Sequence, residues 1–124
     1  MVKPRPKYLN LFQIRLPLPG LISIMHRVSG AVLFLFLPFL LMLFEMSLES
    51  AQTFNRFKSV MAHWMVKLIV IGLVWAYLHH VFAGIRHLAL DLHYGSELAG
   101  ARVSSQLVLV ASIALTAVAG MLIW

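Results

Sequence analysis

Three long stretches of the chain are apolar and carry no charged side chain, and polar segments separate them. Residues 28–44, 68–85 and 103–124 contain no Lys, Arg, Asp or Glu. A helix needs about 20 such residues to cross a hydrocarbon core of about 30 Å, and each run approaches that length. The pattern therefore predicts an all-α integral membrane protein with three transmembrane helices.

The predicted spans cover about residues 22–46, 62–90 and 103–124. We expect them to belong to one membrane-anchor domain that comprises the whole chain, residues 1–124. Residues 1–20 are rich in proline, which disfavours a continuous helix, so we expect an extended arm before the first helix. The polar segment 47–59 is expected to form a short loop between the first two spans.

The composition agrees with a membrane protein. The 124 residues are 61% hydrophobic and 11% charged, which is too apolar for a soluble domain and too short for several domains. The sequence has no cysteine, which excludes disulfides and thiolate-bound iron–sulfur clusters within this chain. The net charge of +6 does not indicate nucleic-acid binding, because half of the basic residues precede the first charge-free run.

The distribution of basic residues predicts an orientation in the membrane. With three spans, the N-terminal arm and the second connection lie on one side, which carries seven of the ten Lys and Arg residues. Basic residues favour the cytoplasmic side of a membrane. We therefore expect a cytoplasmic N-terminus and Trp124 on the far side. A basic patch for anionic lipid headgroups is a compatible alternative.

One histidine lies deep in the second apolar run. On a helix, His80, Gly84 and His87 fall at i, i+4 and i+7 and share one face. Hydrocarbon cannot solvate an imidazole, so a histidine at this depth indicates a functional site more than a packing residue. An imidazole near a residue without a side chain leaves room for a flat, bulky ligand such as haem. His80 and His87 are about 10 Å apart along one helix, so the second axial ligand should come from another chain.

A second polar cluster is expected where the first two helices meet the cytoplasmic surface. Ser23 and Arg27 are i, i+4 neighbours, and His26 lies between them in the sequence. The second helix returns toward that side, so Arg86 and His87 should reach a similar depth. A guanidinium suits a haem carboxylate or a quinone oxygen as acceptor. A snorkelling role for Arg27 and a capping role for Ser23 are the structural alternatives.

At these residues the chain resembles the cytochrome b subunit of succinate dehydrogenase, the larger membrane anchor of respiratory complex II. The order, the spacing and the three-helix layout match over essentially the whole chain. Three blocks carry the likeness: Arg5-Pro6 with Leu9, Leu11, Ile14, Arg15 and Pro17; Ser23-Ile-Met-His26-Arg27-Val-Ser29-Gly30; and His80-x-x-x-Gly84-x-Arg86-His87 followed by Asp91. The second and third blocks are highly specific together and moderately specific alone.

The resemblance implies a haem site. His80 matches the axial ligand of the haem b iron, and a second, smaller anchor subunit would give the other ligand. His26, Arg27 and His87 match residues near the haem propionates. The adjacent His79 lies about 100° around the helix from His80 and could face a partner helix. The register to the later glycine and histidine selects His80 as the ligand.

The resemblance also implies a quinone-reduction site. Ser23 and Arg27 match residues that border the quinone near its ring oxygen, and Ile24 would supply an apolar wall. The chain would be a membrane-anchoring subunit of succinate dehydrogenase, without catalysis on its own, in the respiratory chain and the tricarboxylic acid cycle. The implied partners are a second haem-ligating anchor subunit, an iron–sulfur subunit, a flavoprotein subunit and the lipid bilayer, with no nucleic acid.

The departures from the family pattern concern the source and the quinone. The arm lacks the Ser-Pro-His-Leu segment of mitochondrial members and has Lys7-Tyr8-Leu9 nearby, which favours a bacterial inner membrane. Overall likeness favours ubiquinone over menaquinone. One alternative function is a purely structural anchor that docks soluble subunits without haem. Another is a small proton or ion carrier, but beyond His80 only Tyr77 and His63 would continue a polar path.

Overall fold

The computed structural model describes residues 14–124, and this part of the chain forms four helices without a strand. They are α1 (Leu18–Leu48), α2 (Ala51–Ala62), α3 (Trp64–Asp91) and α4 (Leu98–Ile123). Helices α1, α3 and α4 are long and apolar enough to cross a membrane. The prediction of an all-α membrane protein with three spans is confirmed.

Helix α1 begins inside the segment that was expected to be an extended arm. Its N-cap is Pro17, and Pro19 lies in its first turn. A proline is accepted there because the first backbone N–H groups of a helix have no partner within the helix. The extended backbone therefore ends before Leu18 rather than at residue 20. The rest of the predicted arm, residues 1–13, lies outside the described residues.

Helix α2 occupies most of the segment that was expected to be a loop. Ser50 caps it, because the Ser50 hydroxyl accepts a hydrogen bond from the Thr53 N–H at 3.2 Å. The Thr53 hydroxyl accepts one from the Ser50 N–H at 2.9 Å. This reciprocal capping box satisfies backbone donors that the first turn leaves unpaired. The loop prediction for 47–59 was wrong because polar composition alone does not separate a loop from a surface helix.

Helices α3 and α4 form an antiparallel pair joined by a tight turn. At one end, the Arg86 side chain donates a hydrogen bond to the Ser104 hydroxyl. At the other end, Lys67 Nζ donates one to the Trp124 carbonyl at 2.9 Å. The turn between the helices contains Gly95 at φ +67°, a conformation that favours glycine.

The interior is small and partly polar. Ile22 of α1, Ala83 of α3 and Val108 of α4 form the buried apolar cluster where the three spans meet. Ser105 and Ser112 of α4 are fully buried as well. Each donates its hydroxyl hydrogen to a carbonyl of the preceding turn, at 2.7 and 3.0 Å. Small side chains of this kind let membrane helices approach closely.

Candidate functional site

Three histidine side chains from α1 and α3 meet near one end of the bundle. The ring centroids of His26 and His80 lie 4.3 Å apart, with an interplanar angle of 18°. The ring centroids of His26 and His87 are 5.1 Å apart. The structure thus brings together the predicted haem ligand and two of the residues predicted to lie near the propionates.

The His80 ring is held in one orientation by α1. Its Nδ1 lies 3.1 Å from the carbonyl oxygen of His26 and 3.3 Å from the Ser29 hydroxyl. A carbonyl oxygen only accepts hydrogen bonds, so a hydrogen bond between these two atoms requires the hydrogen to be on His80 Nδ1. The lone pair of the neutral imidazole is then on Nε2. A metal-ligating histidine characteristically donates its other ring N–H to a carbonyl in this way.

Gly30 makes the approach of His80 to α1 possible. A Cβ atom at position 30 would lie 2.8 Å from Cε1 of His80 and 3.2 Å from its Nδ1. The first distance is too short for a real contact. Gly84, which was expected to leave room for a flat ligand, instead faces His26, whose Nε2 would lie 3.5 Å from an added Cβ. Gly30 therefore provides space for a histidine ring within this chain, whereas a Cβ at Gly84 would make only an ordinary contact.

An apolar cavity of about 320 Å³ lies between α1 and α3 beside this cluster. It reaches Ser29, which contacts His80, and Ala76, one helical turn before His80. Met25, Gly72 and Trp75 also line it. This volume lies at the lower end of the range for pockets that hold organic ligands.

These residues fit a haem better than a bare metal ion. Residues 14–124 contain no group of three or more His, Cys, Asp or Glu side chains that could together hold a metal. A porphyrin supplies most of the ligands of its iron itself, so this chain would need to offer only one imidazole nitrogen. The imidazole of His80, near an apolar cavity, could supply that nitrogen.

The predicted quinone residues lie at the same end of α1. Ile24 and Arg27 are exposed, and Ser23 is half-buried. Exposed side chains at this position can contact groups that lie outside this chain. Their assignment to a quinone stays a prediction.

His79 has surroundings quite different from those of His80. Its side chain is fully buried and stacks on Trp75, with ring centroids 5.3 Å apart. Neither ring nitrogen has a hydrogen-bond partner among the described residues. A ligand to a group shared with another subunit needs an accessible nitrogen, and His79 has no exposed surface. His80 is only half-buried, and its assignment as the ligand stays a prediction.

Arg86 does not join the histidine cluster, although sequence reasoning placed it at the same depth. Its Nε donates a hydrogen bond to the Ser104 hydroxyl at 3.0 Å, and its Nη2 donates one to the Ala101 carbonyl at 3.3 Å. The side chain is 6% exposed and faces α4. Arg86 thus connects two helices of the same chain, whereas the adjacent His87 faces α1.

Sequence reasoning quoted Ser29 and Gly30 as part of a motif but gave them no role. The structure shows that one contacts the His80 ring and the other leaves space for it. The available signal was their position, about one turn after His26 on the same helix. The role of these two residues could not be inferred from this position alone, because the side of α1 that faces α3 is known only from the structure.

Comparisons with known proteins agree with this architecture. Residues 1–119 match the family of succinate dehydrogenase/fumarate reductase transmembrane subunits. A succinate dehydrogenase cytochrome b556 subunit from Coxiella burnetii is 38% identical over 97% of each chain. The protein of that name from Paracoccus denitrificans is 33% identical over 90% of this chain and 85% of the relative. One from Rickettsia felis is 27% identical over 98% and 90%.

The fold defines an all-helical, multi-pass membrane protein, and the family match makes it a subunit of a redox complex. The chain belongs to the succinate dehydrogenase/fumarate reductase transmembrane subunit family. It is a cytochrome b type subunit of a succinate dehydrogenase, it associates with other subunits of that complex, and it is not catalytic alone.

Proposed function

We propose that this chain holds one side of a haem b through Nε2 of His80 and forms part of a quinone-reduction site. The observation that carries the proposal is the anchored His80 ring. Its Nδ1 is engaged by the His26 carbonyl and the Ser29 hydroxyl, which leaves Nε2 as the metal-binding nitrogen. The relatives named cytochrome b556 subunit support haem b as the group.

Five further residues of α1 and α3 are assigned to the haem and to the quinone. His26, Arg27 and His87 lie near the haem propionates, and the guanidinium is suited to bind a carboxylate. Ser23 and Arg27 offer hydrogen-bond donors to a quinone oxygen, and Ile24 forms an apolar wall. When bound, the haem accepts and releases single electrons, while the residues of this chain fix its position and surroundings.

The proposed setting is a bacterial inner membrane. The N-terminus lies in the cytoplasm and the C-terminus in the periplasm, because the basic residues are concentrated on the N-terminal side. A second small anchor subunit supplies the other axial ligand. Electrons come from a flavoprotein subunit through an iron–sulfur subunit, and ubiquinone is the acceptor.

Replacing the ligand tests the haem site. In the purified complex, His80→Ala should abolish the absorption band of reduced haem b while the other subunits still co-purify. His79→Phe is the matched control, because it removes the adjacent imidazole and keeps a ring of similar size. A retained haem band in His80→Ala would refute the ligand assignment. A wild-type complex that is intact but lacks haem would leave only the structural-anchor function.

The quinone site is tested separately. Arg27→Leu should depress the reduction of quinone by succinate, while oxidation of succinate by an artificial soluble acceptor persists. Arg15→Leu, which removes an exposed arginine just before α1, should leave both activities unchanged. Equal loss of both activities in Arg27→Leu would indicate failed assembly and would contradict a quinone contact.

A further inference from the structure

Helix α2 (Ala51–Ala62) joins the ends of two membrane-spanning helices, and the proposed haem and quinone sites do not use it. Helix α1 ends at Leu48 and α3 begins at Trp64, so only residues 49–50 and His63 separate α2 from the two spans. With connections this short, α2 cannot leave the end of the bundle. It lies at the end of the bundle opposite to the start of α1.

Helix α2 is amphipathic. Phe54, Phe57 and Met61 recur at i, i+3 and i+7 and form an apolar face. Phe57 and Met61 are half-buried, whereas Phe54 is 42% exposed. The opposite face carries the exposed polar side chains of Gln52, Asn55 and Ser59. The chain itself therefore covers only part of the apolar face, and the uncovered part is at Phe54.

The basic residues of α2 lie at the two borders between its polar and apolar faces. Arg56 and Lys58 are about 160° apart around the helix, at 100° per residue. Lys58 Nζ lies 5.3 Å from the centroid of the Phe54 ring, so the stem of this lysine follows the apolar face. The helix contains no acidic residue. A helix in the lipid headgroup layer has this arrangement, with apolar rings among acyl chains and cations level with phosphates.

We propose that α2 is an interfacial helix that binds the phospholipid headgroup layer on the side where α1 ends. Phe54 inserts among the acyl chains, and the cations of Arg56 and Lys58 pair with lipid phosphates. The occupant is lipid because α2 is continuous with two spans and its basic borders match anionic phosphates. Its outward face carries Gln52, Asn55 and Ser59, and polar side chains are expected on a surface in contact with water. Helix α2 thereby sets how deeply α1 and α3 lie in the bilayer.

Thiol labelling in the intact complex tests this placement. The chain has no cysteine, so a single introduced thiol reports one position when labelling is read as a mass shift of this subunit. In native membranes, Gln52→Cys should react quickly with a water-soluble maleimide polymer. Phe54→Cys should react at least about tenfold more slowly, because its surroundings exclude water. Denaturation in detergent should make the two rates equal, and equal rates before denaturation would overturn the proposal.

A second experiment identifies what covers Phe54. Photoreactive benzoylphenylalanine at position 54 should yield this subunit with the added mass of a phospholipid. Cross-linking to another protein subunit would show that a partner occupies the surface and would overturn the proposal.

Charge variants test the phosphate contact. Lys58→Glu should increase the labelling rate of Phe54→Cys several-fold because its carboxylate repels phosphates, while Lys58→Arg should leave the rate unchanged. An unchanged rate in Lys58→Glu would refute the contact between Lys58 and lipid phosphate.

Discussion

Replacing Gly30 with alanine should displace the His80 ring from its place against α1. The added Cβ would lie 2.8 Å from Cε1 of His80, whereas ordinary contacts begin at 3.4 Å, so the ring must retreat by about 0.6 Å. The acceptors of the Nδ1 interaction, the Ser29 hydroxyl and the His26 carbonyl, both belong to α1. A movement away from α1 therefore lengthens both contacts. The longer one, of 3.3 Å to the Ser29 hydroxyl, is lost first.

The expected destabilisation follows from three contributions. Overpacking costs about 1–3 kcal/mol, and the loss of one hydrogen bond costs about 0.5–1.5 kcal/mol. The change from glycine to alanine within a helix stabilises the folded state by about 1 kcal/mol, which offsets part of this cost. The net loss is about 2 kcal/mol, which corresponds to about thirtyfold in the ratio of folded to unfolded protein.

The assay is thermal loss of the haem absorption band and of subunit association in the purified complex. Gly120→Ala is the matched control, because its Cβ would lie 3.7 Å from the nearest atom of Ile71, an ordinary contact. Gly30→Ala should lower the midpoint temperature and weaken haem retention, while Gly120→Ala should leave both unchanged or raise the midpoint slightly. If the two variants behave alike, close packing of His80 against α1 is not part of the native structure.

Three further changes test other contacts by thermal unfolding and hydrogen exchange. Arg86→Gln removes the hydrogen bonds to Ser104 and Ala101 and should destabilise the complex by about 1–3 kcal/mol. An unchanged midpoint temperature of unfolding would show that these two hydrogen bonds do not contribute to stability. His79→Phe removes two buried nitrogens without partners among the described residues, so the midpoint should stay or rise, and a large fall would reveal a polar partner of His79. Ser50→Ala destroys the capping box and should weaken α2 by about 0.5–2 kcal/mol, seen as faster amide exchange over 51–62 only; uniform protection would contradict it.

The transmembrane helices were predictable because the bilayer imposes a strict requirement on the sequence. Charge-free runs of this length are rare outside membrane-spanning segments, and the cores of α1, α3 and α4 lie where these runs are. The ends of the helices were less predictable, since proline and polar residues occur both in loops and in the first turns of helices. Pro19 illustrates this, because it belongs to the helix that it was expected to precede.

The part of the candidate site that lies on a single helix was predictable. Helical geometry placed His80, Gly84 and His87 on one face, and the structure shows that face turned toward His26. The function of Gly30 could not be derived in this way. It depends on the angle and distance at which two helices cross, and no periodicity within a single helix contains that information.

The direction of adjacent side chains was also only partly predictable. A rotation of about 100° separates His79 from His80, but the sequence alone does not say which of them faces another chain. The buried position of His79 results from the packing of α3 against the other spans of this chain. The same rotation turns Arg86 toward α4 and His87 toward α1, which separates two residues that sequence reasoning had placed together.

The sparse interior of the bundle has a consequence for how a cell handles this subunit. In the most apolar 18-residue stretch of each span, 6% of the residues are buried in α1, 22% in α3 and 11% in α4. Contacts within the described residues therefore bury little of the three spans, and lipid or neighbouring subunits cover the rest. An orphan copy would be a ready substrate for membrane quality-control proteases. Its abundance should consequently follow the supply of its assembly partners rather than its own rate of synthesis.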